Sequence, residues 1–318
     1  MARKELRGVH ALLPKYVPSD EDGSIDEQSF RNHIRWLIRK GVHVIGFNCG
    51  ADFDYNDAER KRITEILVEE INGRIPCIMG ASGWDTETAI KRAKDVEKMG
   101  ADVVFMTGPP LTRPLSSNPQ RAIVDHFKRV SDAVNIPISF YNTPSAWPGI
   151  MAPETLRKIE EAAPRVEYIK AGPREMCEYK IMVDGLAESR LRIVAGKSYY
   201  NFHQLCYAWD KPNRPVGLAG YLVSVLPAEH VLLWQEFEKN NINKAREIWN
   251  SKILPLAILM YGRERGDFGQ NEMAYPLEIL KQMGIIKSSR IPFTIMGADD
   301  YINKEMAKYL EQIKPDIS

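Results

Sequence analysis

Short apolar segments alternate along the chain with longer segments of helical period, and this alternation repeats eight times. Each apolar segment has the length of a strand, and each segment between them carries its apolar residues on one helical face. The strand-like segments span residues 8–13, 42–47, 76–80, 102–107, 136–141, 166–170, 192–196 and 215–220. Strands separated by helices form parallel βα units, and eight such units predict a (β/α)8 barrel, the TIM-barrel fold.

Helix starts and the C-terminal sequence complete this prediction. Asp26 and Asp57 precede amphipathic segments and are predicted helix caps. A doubly wound sheet is the competing fold, but no glycine-rich G-x-G-x-x-G turn follows the first strand. After the eighth strand the chain continues with further helical segments, more than the single helix that closes a barrel. We therefore expect a barrel over residues 1–225 and a C-terminal helical extension over residues 226–318 packed on it.

Charge and composition limit the expected partners and location. The 318 residues carry a net charge of +1 at pH 7, with acids and bases interleaved along the chain. No basic stripe would neutralise phosphates, so nucleic acid is not an expected partner. No run of about 18 apolar residues suggests a membrane span, and the N-terminal segment lacks the apolar core of a signal peptide. The four scattered cysteines form no disulfide pattern, so we expect a reducing, cytoplasmic location.

Two strand ends carry residues suited to catalysis. Catalytic groups of barrel enzymes lie at the C-terminal ends of strands, where Tyr141 and Lys170 end the fifth and sixth segments. Because side chains alternate across a strand, Tyr141 should share a face with Ser139, and Lys170 with Tyr168 and Val166. We therefore expect Tyr141 and Lys170 to face the barrel interior on neighbouring strands.

A lysine inside an apolar barrel can act as a nucleophile. Loss of hydration disfavours the charged form, so burial should lower the pKa of Lys170 and supply neutral amine. A neutral amine adds to a ketone to give a Schiff base, which is an electron sink for carbon–carbon cleavage or loss of a β-hydroxyl. The phenol of Tyr141 could carry the protons. Spacing alone leaves the alternative open that Lys170 is a solvated surface charge and Tyr141 a core or rim residue.

Four segments together resemble one known family. They are YNTP at 141–144, IKAG at 169–172, GRIPCIMGASGWDTETAI at 73–90 and ADVVFMTGPPLTRP at 101–114. On these the chain is similar, over nearly its whole length, to the dihydrodipicolinate synthase and N-acetylneuraminate lyase family of class I aldolases. The resemblance implies a (β/α)8 barrel with C-terminal helices, a homotetramer built as a dimer of dimers, and catalysis on pyruvate or a related 2-oxo acid without a metal or organic cofactor.

The resemblance also implies roles for site residues. Lys170 would form the Schiff base, and Tyr141 would move protons to and from the bound substrate. The substrate carboxylate would lie against the end of the second strand and face backbone of the eighth. The residues concerned are Cys49, Gly50, Ala51 and Ala219.

Departures from the family pattern argue against dihydrodipicolinate synthesis itself. Leu111 stands where the synthases carry a second tyrosine, and Ala146 stands where they carry an arginine for the second substrate's carboxylate. Both threonines of the GTTGE-like motif after strand two are missing from FNCGADFDY, so the hydroxyl relay to Tyr141 is lost. We expect a lyase for another reaction: aldol cleavage or condensation with an aldehyde, or dehydration of a sugar-derived 2-oxo acid.

Three cations are candidates for binding the rest of the substrate. By parity with Ile193 and Ala195, Lys197 could face inward and bind an anionic group. Arg113 and Arg174 follow the fourth and sixth strands and could bind a distal carboxylate in a forked contact. Each of the three could instead be a surface charge.

Two other classes of function are alternatives to the lyase. A metal-dependent mechanism fits poorly, because Asp52 and Asp54 are the only acids near the predicted mouth. A 2-oxo-acid-binding barrel with little or no turnover would explain the lost threonines. Retention of both Tyr141 and Lys170 favours the enzyme, because a binding protein does not require the pair.

Overall fold

Eight parallel strands form a closed barrel in the computed structural model, which describes residues 4–14, 17–47, 54–109, 119–144, 150–261, 271–290 and 300–315. The strands are β1 (Gly8–Leu12), β2 (Val44–Phe47), β3 (Cys77–Gly80), β4 (Val103–Met106), β5 (Ile138–Asn142), β6 (Val166–Ala171), β7 (Arg192–Ala195) and β8 (Gly217–Gly220). They follow one another around the barrel in chain order, and β8 pairs with β1. Every predicted strand segment therefore contains a strand, and the TIM-barrel fold is confirmed.

Helices connect the strands and cover the outside of the barrel. The helices between strands are α1 (Glu27–Arg39), α2 (Asp57–Ile71), α3 (Thr86–Lys98), α4 (Pro119–Ala133), α5 (Pro153–Ala162), α6 (Met176–Gly185) and α7 (Asn201–Ala208). The helices after β8 are α8 (Tyr221–Val225), α9 (Pro227–Glu238), α10 (Ile242–Ile248), α11 (Leu254–Tyr261), α12 (Asn271–Gln282) and α13 (Asp300–Ile313). The helical extension is thus present, although its separation from the barrel at residue 225 stays a prediction. None of these described helices has the length and apolar content of a membrane span.

Side-chain caps decide where the first two helices begin. Asp26 accepts a hydrogen bond from the third backbone N–H beyond it and caps α1, as predicted. The predicted cap of α2 is wrong, because Asp57 is already helical and Asn56 is the cap. The side chain of Asn56 accepts the N–H of Glu59, and the carboxylate of Glu59 accepts the N–H of Asn56. This reciprocal capping box satisfies two backbone donors and so fixes the start one residue earlier.

The barrel has one apolar layer inside the ring of strands and another between the strands and the helices. In the outer layer, Phe140 of β5 meets Phe127 of α4 with ring centroids 5.1 Å apart. The inner layer includes Leu6, Val44, Ile78, Val103, Phe105 and Tyr168, all buried. Because side chains fill this part of the interior, a ligand is expected at the C-terminal end of the barrel.

A bulge in β6 changes the side of the sheet on which one predicted residue lies. Consecutive residues of β5 pair with Val166 and Tyr168, which leaves Glu167 as an extra residue. Val166 therefore lies in the outer layer instead of sharing the inner face with Tyr168 and Lys170. The prediction for Val166 is wrong for this reason, whereas Tyr168 and Lys170 lie beyond the bulge and keep the predicted alternation.

Aromatic residues pack the C-terminal helices on α7. Trp249, in the π-helical turn between α10 and α11, stacks on Phe202 of α7 with ring centroids 5.8 Å apart and an interplanar angle of 18°. Phe237 of α9 contacts Phe202 edge-on at 5.8 Å. Since α7 also contacts β7, the helical extension holds it against the barrel.

Buried histidines make the fold sensitive to acid. A ring nitrogen of His33 forms a hydrogen bond with the carbonyl oxygen of Ser224 at 2.8 Å. A ring nitrogen of His230 forms one with the carbonyl oxygen of Leu226 at 2.7 Å. Burial disfavours the charged rings and lowers the pKa of each histidine from 6.5 to about 4. The unfolded chain therefore binds protons below pH 6.5 that the folded chain excludes. Stability from this source is complete above pH 6.5 and decreases as the pH falls toward 4.

We predict that the free energy of unfolding decreases between pH 6.5 and pH 4 by up to about 1.4 kcal/mol per pH unit for each buried histidine. Denaturant unfolding at a series of pH values measures the slope. His33→Gln keeps a donor for Ser224 but cannot titrate, so it should flatten the profile. The control His203→Gln, at an exposed position, should flatten it less. An unchanged slope in His33→Gln would contradict the prediction.

Candidate active site

Lys170 and Tyr141 face each other at the C-terminal ends of β6 and β5. The two residues are paired in the strand register, and Nζ of Lys170 lies 3.3 Å from the centroid of the Tyr141 ring. Lys170 is only 6% exposed. The ring of Phe105 on β4 lies 6.0 Å from that of Tyr141, measured between centroids. The predicted inward facing of both residues is confirmed, and the amine lies against an aromatic face.

Two glycines leave room for this pair. A Cβ atom at Gly172, directly after β6, would overlap the Tyr141 ring. A Cβ atom at Gly196, directly after β7, would overlap Cγ of Lys170. The lysine stem therefore lies against the chain after β7 at a point where only glycine fits.

Apolar residues line the interior beside the lysine. Leu12, Val194 and Ala219 form a buried cluster contributed by β1, β7 and β8. Val194 is the residue of β7 that pairs with Lys170. The amine of Lys170 thus meets the aromatic ring of Tyr141, and the strand register places the apolar cluster next to the lysine through Val194.

Two buried amides on α7, which are not among the residues predicted from the sequence, contact the strand ends. Gln204 donates from Nε2 to the carbonyl oxygen of Ala171 at 3.1 Å and accepts the N–H of Lys197 at Oε1 at 3.2 Å. Asn201 donates from Nδ2 to the carbonyl oxygen of Ala219 at 3.2 Å. The available signal was two amides spaced i, i+3 on a helix face whose other buried side chains are apolar.

Asn142, the second residue of YNTP, points away from the interior and ties loops together. Its Oδ1 accepts the N–H of Met151 at 2.9 Å, and its backbone carbonyl accepts the N–H of Gly172 at 2.9 Å. Asn142 is buried. The motif therefore joins an inward tyrosine to an amide that holds the chain after β5.

The parity argument for Lys197 is wrong. Ile193 and Ala195 lie in the outer layer, whereas Val194 faces the interior, so the residues used to orient Lys197 point toward the helices. Lys197 follows the strand and precedes a 3-10 turn, and its Nζ lies 4.9 Å from the ring centroid of Tyr199. Substrate binding by Lys197 stays a prediction without this support.

Arg174 lies at the surface beside α6. Its side chain is 68% exposed, its Nε is 3.7 Å from the carboxylate of Glu178, and its backbone N–H donates to the same carboxylate at 2.7 Å. Substrate binding by Arg174 and by the backbone of Ala219 stays a prediction. The other predicted binding residues lie outside the described residues: Cys49, Gly50, Ala51 and Arg113.

A separate cleft of about 430 Å³ lies between α2 and α3 on the outside of the barrel. Its lining is charged, and Lys91 and Asp57 pair across it at 2.9 Å. Lys170 and Tyr141 do not line it, so we assign the site by the chemistry of the strand ends. Within the described ranges, no group of three His, Cys, Asp or Glu side chains could hold a metal ion.

Comparisons with known proteins identify the family and agree with the fold. Residues 7–312 match the Dihydrodipicolinate synthetase family. A 4-hydroxy-tetrahydrodipicolinate synthase of Thermodesulfovibrio yellowstonii is 27% identical over 292 residues, which cover 83% of this chain and 95% of that protein.

Two solved structures show the same fold. The YagE prophage protein of E. coli K12, solved in complex with pyruvate, has a TM-score of 0.83 at 18% identity, covering 98% of this chain and 99% of that one. A monomeric dihydrodipicolinate synthase variant has a TM-score of 0.83 at 23% identity, covering 98% of this chain and 97% of that one. At these identities the structures support the fold alone.

We predict that Gly196→Ala displaces Lys170 toward the barrel mouth, because the new methyl group would overlap its stem. Overpacking of this kind costs about 1–3 kcal/mol, which the fold should tolerate. An amine-directed acylating reagent should then modify Lys170 faster, as read by peptide mass spectrometry. The control Ile193→Val, on the outer face of the same strand, costs about 1 kcal/mol and should leave this rate unchanged. Equal rates in Gly196→Ala and the parent protein would contradict the expected contact.

Proposed function

The chain belongs to the dihydrodipicolinate synthetase family, which comprises pyruvate-dependent class I lyases, and on that premise we propose that Lys170 forms a Schiff base with pyruvate or a related 2-oxo acid. The observation that carries the proposal is the buried amine held 3.3 Å from the Tyr141 ring centroid at the ends of adjacent strands. The position supports a catalytic role, because the C-terminal ends of the strands are where barrel enzymes hold the groups that react with substrate.

In the first step, the neutral amine of Lys170 attacks the ketone carbon of the 2-oxo acid. A carbon–nitrogen bond forms and the carbon–oxygen bonds break. The carbonyl oxygen leaves as water with one proton from the amine and one from solvent, so the nitrogen keeps its second proton and the imine is protonated. The phenol of Tyr141 relays these protons, since its ring lies beside Nζ. The apolar wall of Leu12, Val194 and Ala219 limits water next to the imine and so slows its hydrolysis.

In the second step, the protonated imine acts as the electron sink. For aldol cleavage, the bond between the third and fourth substrate carbons breaks, its electrons form an enamine, and the aldehyde leaves after its hydroxyl loses a proton. For dehydration, the third carbon loses a proton to give the enamine, which expels the β-hydroxyl as water. Tyr141 is the proposed proton carrier in both reactions.

The proposed reaction is one of these rather than dihydrodipicolinate synthesis. The reason is chemical: Leu111 and Ala146 lack the phenol and the guanidinium that the family's synthases use at those positions. Curated relatives carry the name 4-hydroxy-tetrahydrodipicolinate synthase, so that activity belongs in the same assay panel. Assembly as a homotetramer and a cytoplasmic location complete the proposal.

We predict that borohydride reduction in the presence of pyruvate traps a covalent adduct on Lys170. Peptide mass spectrometry identifies the modified residue, and Lys170→Met should abolish the adduct because the nucleophile is gone. Lys180→Met, which removes an exposed lysine on α6, is the control and should retain it. Absence of an adduct at Lys170 in the parent protein would refute the Schiff-base mechanism.

We predict that Tyr141→Phe lowers kcat about 10²- to 10⁴-fold, because a positioned acid–base group is lost. Pyruvate should still be trapped on Lys170, but more slowly. Tyr168→Phe makes the same chemical change inside the barrel, where the phenol contacts the N–H of Leu6 and Arg192, and should have a much smaller effect on kcat. Equal losses in the two variants would remove the special role of Tyr141.

Turnover over a panel of aldehydes, sugar-derived 2-oxo acids and a carboxylate-bearing aldehyde distinguishes the possible reactions. An adduct at Lys170 with no turnover of any member would favour the binding protein over the lyase.

A further inference from the structure

The hydrogen-bond ladder between β6 and β7 ends directly after the lysine. Ala171 pairs with Ala195, and its carbonyl oxygen accepts the N–H of Gly196 at 2.9 Å. By alternation, the next residue whose N–H would point toward the chain after β7 is Pro173, two residues beyond the end of β6, and a proline has no backbone N–H. The ladder of backbone hydrogen bonds therefore cannot continue at Pro173. The end of β6, which carries Lys170, has no further backbone bond to β7 from that residue.

Gln204 bridges the strand ends at this point. Its Nε2 donates to the carbonyl oxygen of Ala171, and its Oε1 accepts the N–H of Lys197. Ala171 is the residue after Lys170, and Lys197 is the residue after Gly196, against which the lysine stem lies. The fully buried amide of Gln204 thus joins the ends of β6 and β7 next to the two residues, Lys170 and Gly196, that contact each other.

The bridge is rigid because of where it lies. Gln204 is excluded from water, so its hydrogen bonds are stronger than exposed ones and costly to leave unmade. The helix that carries it is held from outside by the stack of Trp249 on Phe202. One turn earlier, Asn201 binds the carbonyl oxygen of Ala219 in the same way, so α7 fixes the ends of β6, β7 and β8 together.

We propose that Gln204 is a positioning residue for Lys170: its amide sets the spacing between the ends of β6 and β7, so that the lysine stem lies across Gly196 and Nζ meets the Tyr141 ring. This inference deepens the proposed function and rests on it for the Schiff-base role of Lys170. Without the bridge, the strand ends separate beyond Pro173 and Nζ moves off the ring.

The test compares Gln204→Met with Ser131→Ala. Methionine has a similar length but can make neither bond. Ser131 is a matched control, because its buried hydroxyl accepts the N–H of Arg165 at 3.0 Å just before the opposite end of the same strand. Both variants lose a buried contact between a side chain and the backbone next to β6, but only one loses it near the lysine.

The first readout is the rate at which pyruvate becomes trappable by borohydride on Lys170. Gln204→Met should slow it about 10- to 100-fold, in line with the effect of small misplacements of reacting groups, while Ser131→Ala stays near the parent rate. Gln204→Glu keeps an acceptor for the N–H of Lys197 and should fall between them. It also serves as the test variant if Gln204→Met does not fold.

The second readout is independent of catalysis. The pH dependence of Lys170 acylation should shift in Gln204→Met and not in Ser131→Ala, because only the former changes the surroundings of the amine. If the parent protein forms no imine, the proposed function fails while this readout still tests the positioning role. Parent-like values of both readouts in the Gln204 variants, or equal changes in Ser131→Ala, would overturn the inference.

Discussion

Closure of the parallel barrel is the constraint on which the site depends. Because β8 pairs with β1 and all eight strands run in one direction, their C-terminal ends lie on a single rim. Apolar side chains such as Phe105 and Tyr168 fill the interior below that rim. Polar residues far apart in the sequence can therefore meet a ligand on the barrel axis only above this apolar layer, where the strands end, and Lys170 and Tyr141 are such residues.

Small residues decide the position of the amine as much as reactive ones do. The Tyr141 ring fits over Gly172, and the stem of Lys170 fits over Gly196, each at a place where a Cβ atom would overlap. Val194 closes one side of the lysine, and the tyrosine ring closes another. A lysine at the end of a strand is usually solvated, but here the two glycines leave space for its side chain inside the barrel.

The helical extension contributes to the site through α7. Trp249 and Phe237 hold Phe202 on its outer side, while Asn201 and Gln204 bind backbone carbonyls of the strand ends on its inner side. Packing on the outer face of α7 therefore helps to set the positions of the ends of β6, β7 and β8. This connection gives the helices after β8 a physical part in placing the lysine, in addition to covering the barrel.

The sequence by itself determined the eight strands, because each has its own apolar run, and it determined the inward facing of Tyr141 and Lys170, because alternation is a local property of extended chain. The predicted orientation was wrong at Val166, because a bulge adds a residue to β6. It was also wrong at Lys197, because Ile193 and Ala195, which were expected to face the interior, lie in the outer layer. Neither error is detectable locally, since only the partner strand and the helices define register and face. The tertiary structure alone decided the bridge by Gln204, whose bond to Ala171 joins residues 33 positions apart. Such a contact exists only after the barrel has closed and α7 has packed on it, so no local pattern specifies it.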